Sequence, residues 1–162
     1  MLAYRLLTIL GALALVGVDQ ALKYWAVSVL QPVGQLPLLP HLVDLRFVLN
    51  DGAAFGMLAG RQTFLQLFTG AALAALLIWL LVKKPDSKLE YTALLLIFSG
   101  GVGNLIDRAL NGVVVDYINL LFMDFAVFNF ADILVCVGVG LLVIALFIPE
   151  IHKNRNKGNG AV

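Results

Sequence analysis

Residues 127–149 read VFNFADILVCVGVGLLVIALFIP, an apolar run of bilayer-spanning length with one ionisable side chain, Asp132, near its start. About 20 such residues cross a hydrocarbon core as a helix. A carboxylate at membrane depth carries a large desolvation cost, so its retention points to chemistry rather than to packing.

Three further runs, at about 6–28, 62–82 and 90–110, are also long and apolar enough to span. The 162 residues are 61% hydrophobic and only 13% charged, with a mean hydropathy of +0.96, values that exclude an ordinary soluble domain. The expected fold is an all-α membrane protein: four transmembrane helices in one integral membrane domain over 1–151, with a small extracytoplasmic β-sheet between the first two helices. A formal charge of +1 supplies no basic face for nucleic acid. The single cysteine, Cys136, excludes an intrachain disulfide and a cysteine metal site, and reads as a buried small hydrophobe. The first run follows Arg5 and continues past Asp19, Gln20 and Lys23 to Leu30, too long for a cleaved signal segment, so it reads as a retained anchor.

Seven basic residues (Arg5, Lys83, Lys84, Lys88, Lys153, Arg155 and Lys157) would share one side of the membrane, against three (Arg46, Arg61 and Arg108) on the other. That bias predicts both termini in the cytoplasm and the 31–61 loop outside. Within the loop, Val43-Asp44-Leu45-Arg46-Phe47 alternates apolar with polar, which predicts short strands lying on the outer surface. The basic tail, 152–162, rich in Lys, Asn and Gly, reads as disordered.

Helix rise brings the polar residues together. Asp19 lies 14 residues after Arg5, Asn104 lies 16 after Lys88 and Asp132 lies 17 before Pro149. At about 1.5 Å per residue all three stand roughly 21–26 Å above the inner boundary. Asn50, Asp107, Arg108, Asp116 and Asn129 belong at or just above that layer. Blander readings accompany each group. Asp19 and Lys23, spaced i,i+4, form an ion pair that eases insertion of the first span. Gly100-Gly101-Val102-Gly103 is a surface for close helix approach. Asp107 and Arg108 pair at the interface, Trp25, Trp79 and the tyrosines are interface anchors or lipid-facing bulk, and the isolated His41 and His152 offer no metal site.

No serine sits in a G-x-S-x-G elbow and no H-E-x-x-H is present, so serine and zinc hydrolysis lose their signatures. Two aspartates remain, Asp116 and Asp132. Carboxyls sharing one proton can activate water and protonate a carbonyl between them. A proton-coupled transporter would use similar residues, but the inner half of each span is nearly free of ionisable groups, which leaves a relay without a path.

Five blocks then occur in order: Asp19-Gln20-x-x-Lys23, Asn50-x-Gly52-Ala53-Ala54-Phe55, Gly100-Gly101-x-Gly103-Asn104-x-x-Asp107-Arg108, Val115-Asp116-Tyr117-Ile118 and Phe128-Asn129-x-Ala131-Asp132. Together they resemble the lipoprotein signal peptidase (signal peptidase II) family. The resemblance implies an intramembrane aspartic endopeptidase of the bacterial cytoplasmic (inner) membrane. Its partners would be membrane lipids and diacylglyceryl-modified prolipoproteins, cut just before the lipidated cysteine by a monomeric enzyme. It also implies a catalytic dyad of Asp116 and Asp132, with Asn50, Gly52, Asn104, Arg108, Asn129 and Ala131 lining the site or binding substrate. Asp19, Lys23 and Asp107 would support its shape. The family implies no metal and no organic cofactor, and a mobile segment over the site.

Overall fold

A computed structural model describes residues 2–52, 61–83, 85 and 87–158, with side chains as far as Phe147. The chain runs as α1 (Leu2–Trp25), a π-helical turn (Ala26–Leu30), a short α2 (Gln31–Val33), β1 (Gln35–Leu39), β2 (Val43–Asn50), α3 (Gln62–Val82), α4 (Lys88–Asn111), β3 (Val114–Leu120) and α5 (Phe130–Gly158). Four helical segments, Leu2–Val33, Gln62–Val82, Lys88–Asn111 and Phe130–Phe147, are long and apolar enough to span a bilayer, as the composition predicts.

The helix ends are set locally. Gly34 at φ 76° and Gly112 at φ 73° take the left-handed conformations that stop α2 and α4, where a side chain would be strained. Ser87 caps α4, its Oγ accepting from Glu90 N at 3.0 Å. Residues 152–158 continue α5 instead of forming the expected disordered tail. A helix already nucleated in the span adds one bond per further residue and needs no favourable composition to start.

Helices α4 and α5 meet through the glycine face. A Cβ at Gly100 would overlap the carbonyl oxygen of Ala131, and one at Gly138 would come within 2.7 Å of Ala93 O. Only glycine permits that approach. Ala12, Leu73, Leu80 and Phe98 fill the space between α1, α3 and α4. Arg5 Nε donates to Leu81 O at 2.9 Å, which puts the chain start beside the α3–α4 turn, at the end of the bundle opposite the sheet.

The sheet expected between the first two spans is present, and it has a third strand from elsewhere. Its order is β1-β2-β3, all antiparallel, with β3 arriving from the α4–α5 connection. Val48 pairs with Asp116 and Asn50 with Val114. Alternation then divides β3: Val115 and Tyr117 pack on Ala26 and Leu30 of the π-helical turn, while Val114 and Asp116 face the opposite way. Tyr117 is therefore a core residue, not an interface anchor. Residues 53–60, which include Ala53-Ala54-Phe55 of the second block, lie outside the described residues.

The α4–α5 contact yields a paired test. Gly138→Val should cost about 1–3 kcal/mol through overpacking, read as a lowered unfolding temperature in detergent. Gly140→Val, where an added Cβ meets nothing within 4 Å, should leave that temperature unchanged.

Candidate active site

The first turn of α5 builds one half of the site. Its opening amides have no helical acceptors and each finds another. Phe130 N donates to Tyr117 Oη at 3.2 Å, Ala131 N to Asp19 Oδ1 at 3.0 Å, and Asp132 N to Asn129 Oδ1 at 3.0 Å. Asn129 N in turn donates to Asp132 Oδ2 at 3.0 Å, closing a reciprocal capping box that contains the candidate carboxylate. Asp132 Oδ1 accepts from Asn104 Nδ2 at 2.8 Å.

Strand β3 delivers the other half. Asp116, almost fully buried, accepts from Asn50 Nδ2 at 2.9 Å and from Asn129 Nδ2 at 2.7 Å. Asn129 thus touches both carboxyls, one through its backbone amide and one through its side chain. Burial pushes the Asp116 carboxyl up to about 6, and the charge of Asp132 adds to the rise. The hydrogen bonds from Asn50 and Asn129, and the more distant Lys23, oppose it. Burial also raises the neighbouring Tyr117 phenol, which holds its proton.

Beneath the carboxyls lies a buried ionic cluster. Lys23 Nζ reaches Asp19 Oδ2 at 3.0 Å, Asp107 Oδ2 at 3.1 Å and Asn104 Oδ1 at 2.9 Å, one acceptor for each of its three protons. Gln20 Nε2 bridges the same two aspartates, and Val115 N donates to Asp107 Oδ2 at 3.1 Å. A Cβ on Gly103 would overlap Asp19 Oδ2, so that glycine makes room for a carboxylate. The expected Asp107–Arg108 pair does not form, because adjacent helical residues point in different directions. Asp107 turns inward to Lys23. Arg108 turns to the segment after β2, its Nη2 donating to Gly52 O at 2.8 Å, with Nη1 3.5 Å from Asn104 O and a buried Nε that has no partner among the described residues.

Gly52 is held from both sides, since its N donates to Asn50 Oδ1 at 2.9 Å. Ala131 serves packing, buried against Gly100 and Gly103. A cavity of about 730 Å³ is lined by Asn50, Asn104, Arg108, Asp116 and Asp132, and by apolar side chains of α3, α4 and α5 including Phe68, Ile97, Ile133 and Val137. Cys136 lines it too and is exposed, not buried. Among the described residues no three His, Cys, Asp or Glu side chains converge as metal ligands.

Residues 11–148 match the family model for signal peptidase (SPase) II. The chain belongs to the signal peptidase II family. A lipoprotein signal peptidase of Streptococcus pyogenes serotype M2 (strain MGAS10270) is 40% identical over 148 residues, covering 91% of this chain and 97% of that relative. The serotype M5 (strain Manfredo) counterpart is 40% identical over the same span. A solved bacterial membrane enzyme aligns with TM-score 0.79 at 36% identity, covering 86% of this chain and 87% of its own. The signal peptidase II chain is thus a multi-pass membrane peptidase, and all five sequence blocks fall inside the matched region.

Two further contributors to the site stand in those blocks. The sequence assigns Gln20 no role and reads Tyr117 with the other tyrosines as an anchor or lipid-facing bulk, and neither reading says what the side chain touches. Gln66 is a further contributor without a sequence assignment; its Nε2 donates to Arg108 O at 2.5 Å, and its only signal is an amide one turn inside the second span.

The ionic cluster predicts a large stability effect. Lys23→Met leaves Asp19 and Asp107 buried without their cation and should destabilise the fold by about 3–5 kcal/mol. Asp19→Asn combined with Lys23→Met removes one stranded charge and should recover part of the unfolding temperature in detergent.

Proposed function

We propose that this chain is an intramembrane aspartic endopeptidase that removes signal peptides from diacylglyceryl-modified bacterial prolipoproteins, cutting just before the lipidated cysteine. One observation carries the reading: two carboxyls from different elements, joined through Asn129, open onto the same largely apolar cavity. The prolipoprotein substrate rests on the lipoprotein signal peptidases that the chain resembles.

The two carboxyls have different surroundings, which supports different roles. Asp132 accepts two hydrogen bonds, from Asn104 and from the Asn129 amide at a helix N-terminus, an environment suited to a carboxylate base. Asp116 is raised to about 6 chiefly by burial and is the better proton carrier. Water attacks the scissile carbonyl carbon as Asp132 takes one of its protons, and Asp116 gives its proton to the carbonyl oxygen. Collapse of the tetrahedral diol breaks the C–N bond. The leaving nitrogen takes the proton from Asp132, and a diol hydroxyl returns one to Asp116. Arg108 has Asp132 and Asp116 as its electrostatic neighbours and supplies positive charge beside the dyad.

The apolar lining suits a substrate that is itself an apolar helix. Phe68 and Val137 line the cavity and are exposed on the outside of the bundle, so the wall continues to the surface that lipid would cover. A signal peptide entering sideways stays in apolar surroundings, and the bond to be cut must leave its helix, because helical carbonyls are shielded. The basic bias supports cytoplasmic termini and a site near the outer face of the cytoplasmic membrane. One chain holds all the named residues, which fits a monomer.

Asp116→Asn and Asp132→Asn should each abolish cleavage of a lipidated prolipoprotein by the purified protein while leaving its unfolding temperature near that of the parent. Full cleavage by either variant would end the aspartic assignment. The pH profile gives a second check. Asn50 donates to the ionised form of Asp116, so Asn50→Leu should make that carboxyl hold its proton to higher pH. If Asp116 acts as the acid, activity is lost as pH rises through the apparent pKa of the pair. The alkaline limb of the rate profile should then move up in Asn50→Leu, whatever happens to its height.

A further inference from the structure

The end of the sheet farthest from the dyad is apolar where exposure to water would favour polar residues. At the β1–β2 turn, Leu38, Leu39 and Leu42 are exposed, and beside them so are Leu121, Phe122 and Met123 of the β3–α5 connection. The two turns are tied together, Leu121 N donating to Leu42 O at 2.9 Å. Seven residue steps of β2 separate this tip from Asn50, roughly 23 Å at the usual strand rise. None of the six lines the cavity that holds the carboxyls, although their neighbours Leu120 and Phe125 do.

We propose that this tip is a membrane contact in its own right: the six side chains dip into the leaflet on the sheet side of the bilayer, so that the sheet lies along the membrane surface instead of standing out from it. Continuity with the lipid-facing surface selects lipid as the occupant. Phe125, next along the chain, sets its ring edge-on to Phe128 at 5.9 Å and lines the large cavity with Ile133 and Val137 of α5. Ile133 and Val137 are exposed on a spanning helix, so exposed apolar side chains lead from the span through Phe125 to the tip, with Asp124 between Phe125 and Met123. A patch of this kind on a chain already held in a bilayer is covered by acyl chains without any further partner.

The depth is bounded by the backbone. Hydrocarbon does not accept irregular chain with free amides and carbonyls, and residues 121–127 form neither helix nor strand. Only the side chains enter, as with interfacial segments that sink about 5–10 Å. His41, Arg46 and Asp124, all exposed around the tip, remain among the headgroups. Anchored at one end by the tip and at the other by the packing of β3 on the π-helical turn, the sheet keeps Asp116 and Asn50 at a fixed height.

Nitroxide accessibility tests this directly. Single cysteines replace Phe122 or Met123 in a Cys136→Ala background, the protein is spin-labelled in phosphatidylglycerol–phosphatidylethanolamine vesicles, and power saturation is compared in oxygen and in a water-soluble nickel chelate. Both labels should be several-fold more accessible to oxygen than to the chelate, and a label at Asp124→Cys should show the reverse. Chelate exceeding oxygen at 122 and 123 would place the tip in water and overturn the proposal. Low accessibility to both reagents would mean that protein, such as a second copy of the chain, covers the tip, and would overturn it equally. Two labelled positions guard against one substitution disturbing the fold.

Discussion

Lys23 is the point on which the arrangement turns. An ammonium buried among helices has to satisfy three protons without water, and here each has one acceptor: Asp19 on its own helix, and Asp107 and Asn104 on α4. Those three choices propagate. Because Asn104 Oδ1 is occupied by Lys23 and by Asn129 Nδ2, the amide nitrogen of Asn104 is left to face Asp132. Because Asp107 is drawn to Lys23, its second interaction, with Val115 N, fastens β3 one residue from Asp116. Because Asp19 is oriented by the same cation, its free oxygen reaches Ala131 N at the start of α5. A single buried charge thus aligns two helix faces and a strand toward the carboxyls. Removing the cation is costly for the same reason, since both aspartates would be left unpaired in a low dielectric.

Such a network needs helices closer than ordinary side chains allow. Gly103 leaves the space that the Asp19 carboxylate fills, and Gly100 lets α4 approach the Ala131 carbonyl. The small residues are part of the construction of the site as much as of the bundle. Apolar side chains there would separate α4 from α5 and carry Asn104 out of reach of Asp132. Ala131 belongs to the same account, although it makes no polar side-chain contact.

Much of this was legible in the sequence, because apolar length and helix rise are strong signals. Counting residues from the span ends placed Asp19, Asn104 and Asp132 at one depth, and all three enter one hydrogen-bonded network. What depth could not give was azimuth. Asp107 and Arg108 share a level yet face different partners, Lys23 and Gly52. Cys136 was placed inside by analogy with soluble cores, but a membrane protein turns much of its apolar surface outward. The third strand was hidden because Val113-Val114-Val115 reads equally well as a helix end or a strand. Its register with β2 depends on an irregularity between Leu45 and Val48 that no local signal marks. The capping box of Asn129 and Asp132 was in plain view at i,i+3, but its meaning required knowing that the helix begins at Phe130 rather than at Val127.

That helix start also explains why a strand and a helix, and not two helices, hold the paired carboxyls. A helix N-terminus presents unsatisfied amides and favours an anionic side chain in its first turn, which suits Asp132. A strand inside a sheet spends its amides on its neighbours, so Asp116 depends on the side chains of Asn50 and Asn129, and its burial raises it. Two identical side chains thereby meet different hydrogen-bonding surroundings, set by the elements that carry them. Asn129 links the two environments because it is both the cap of the helix and a donor to the strand carboxyl. The unequal hydrogen bonding of Asp116 and Asp132 is therefore already present in the secondary structure.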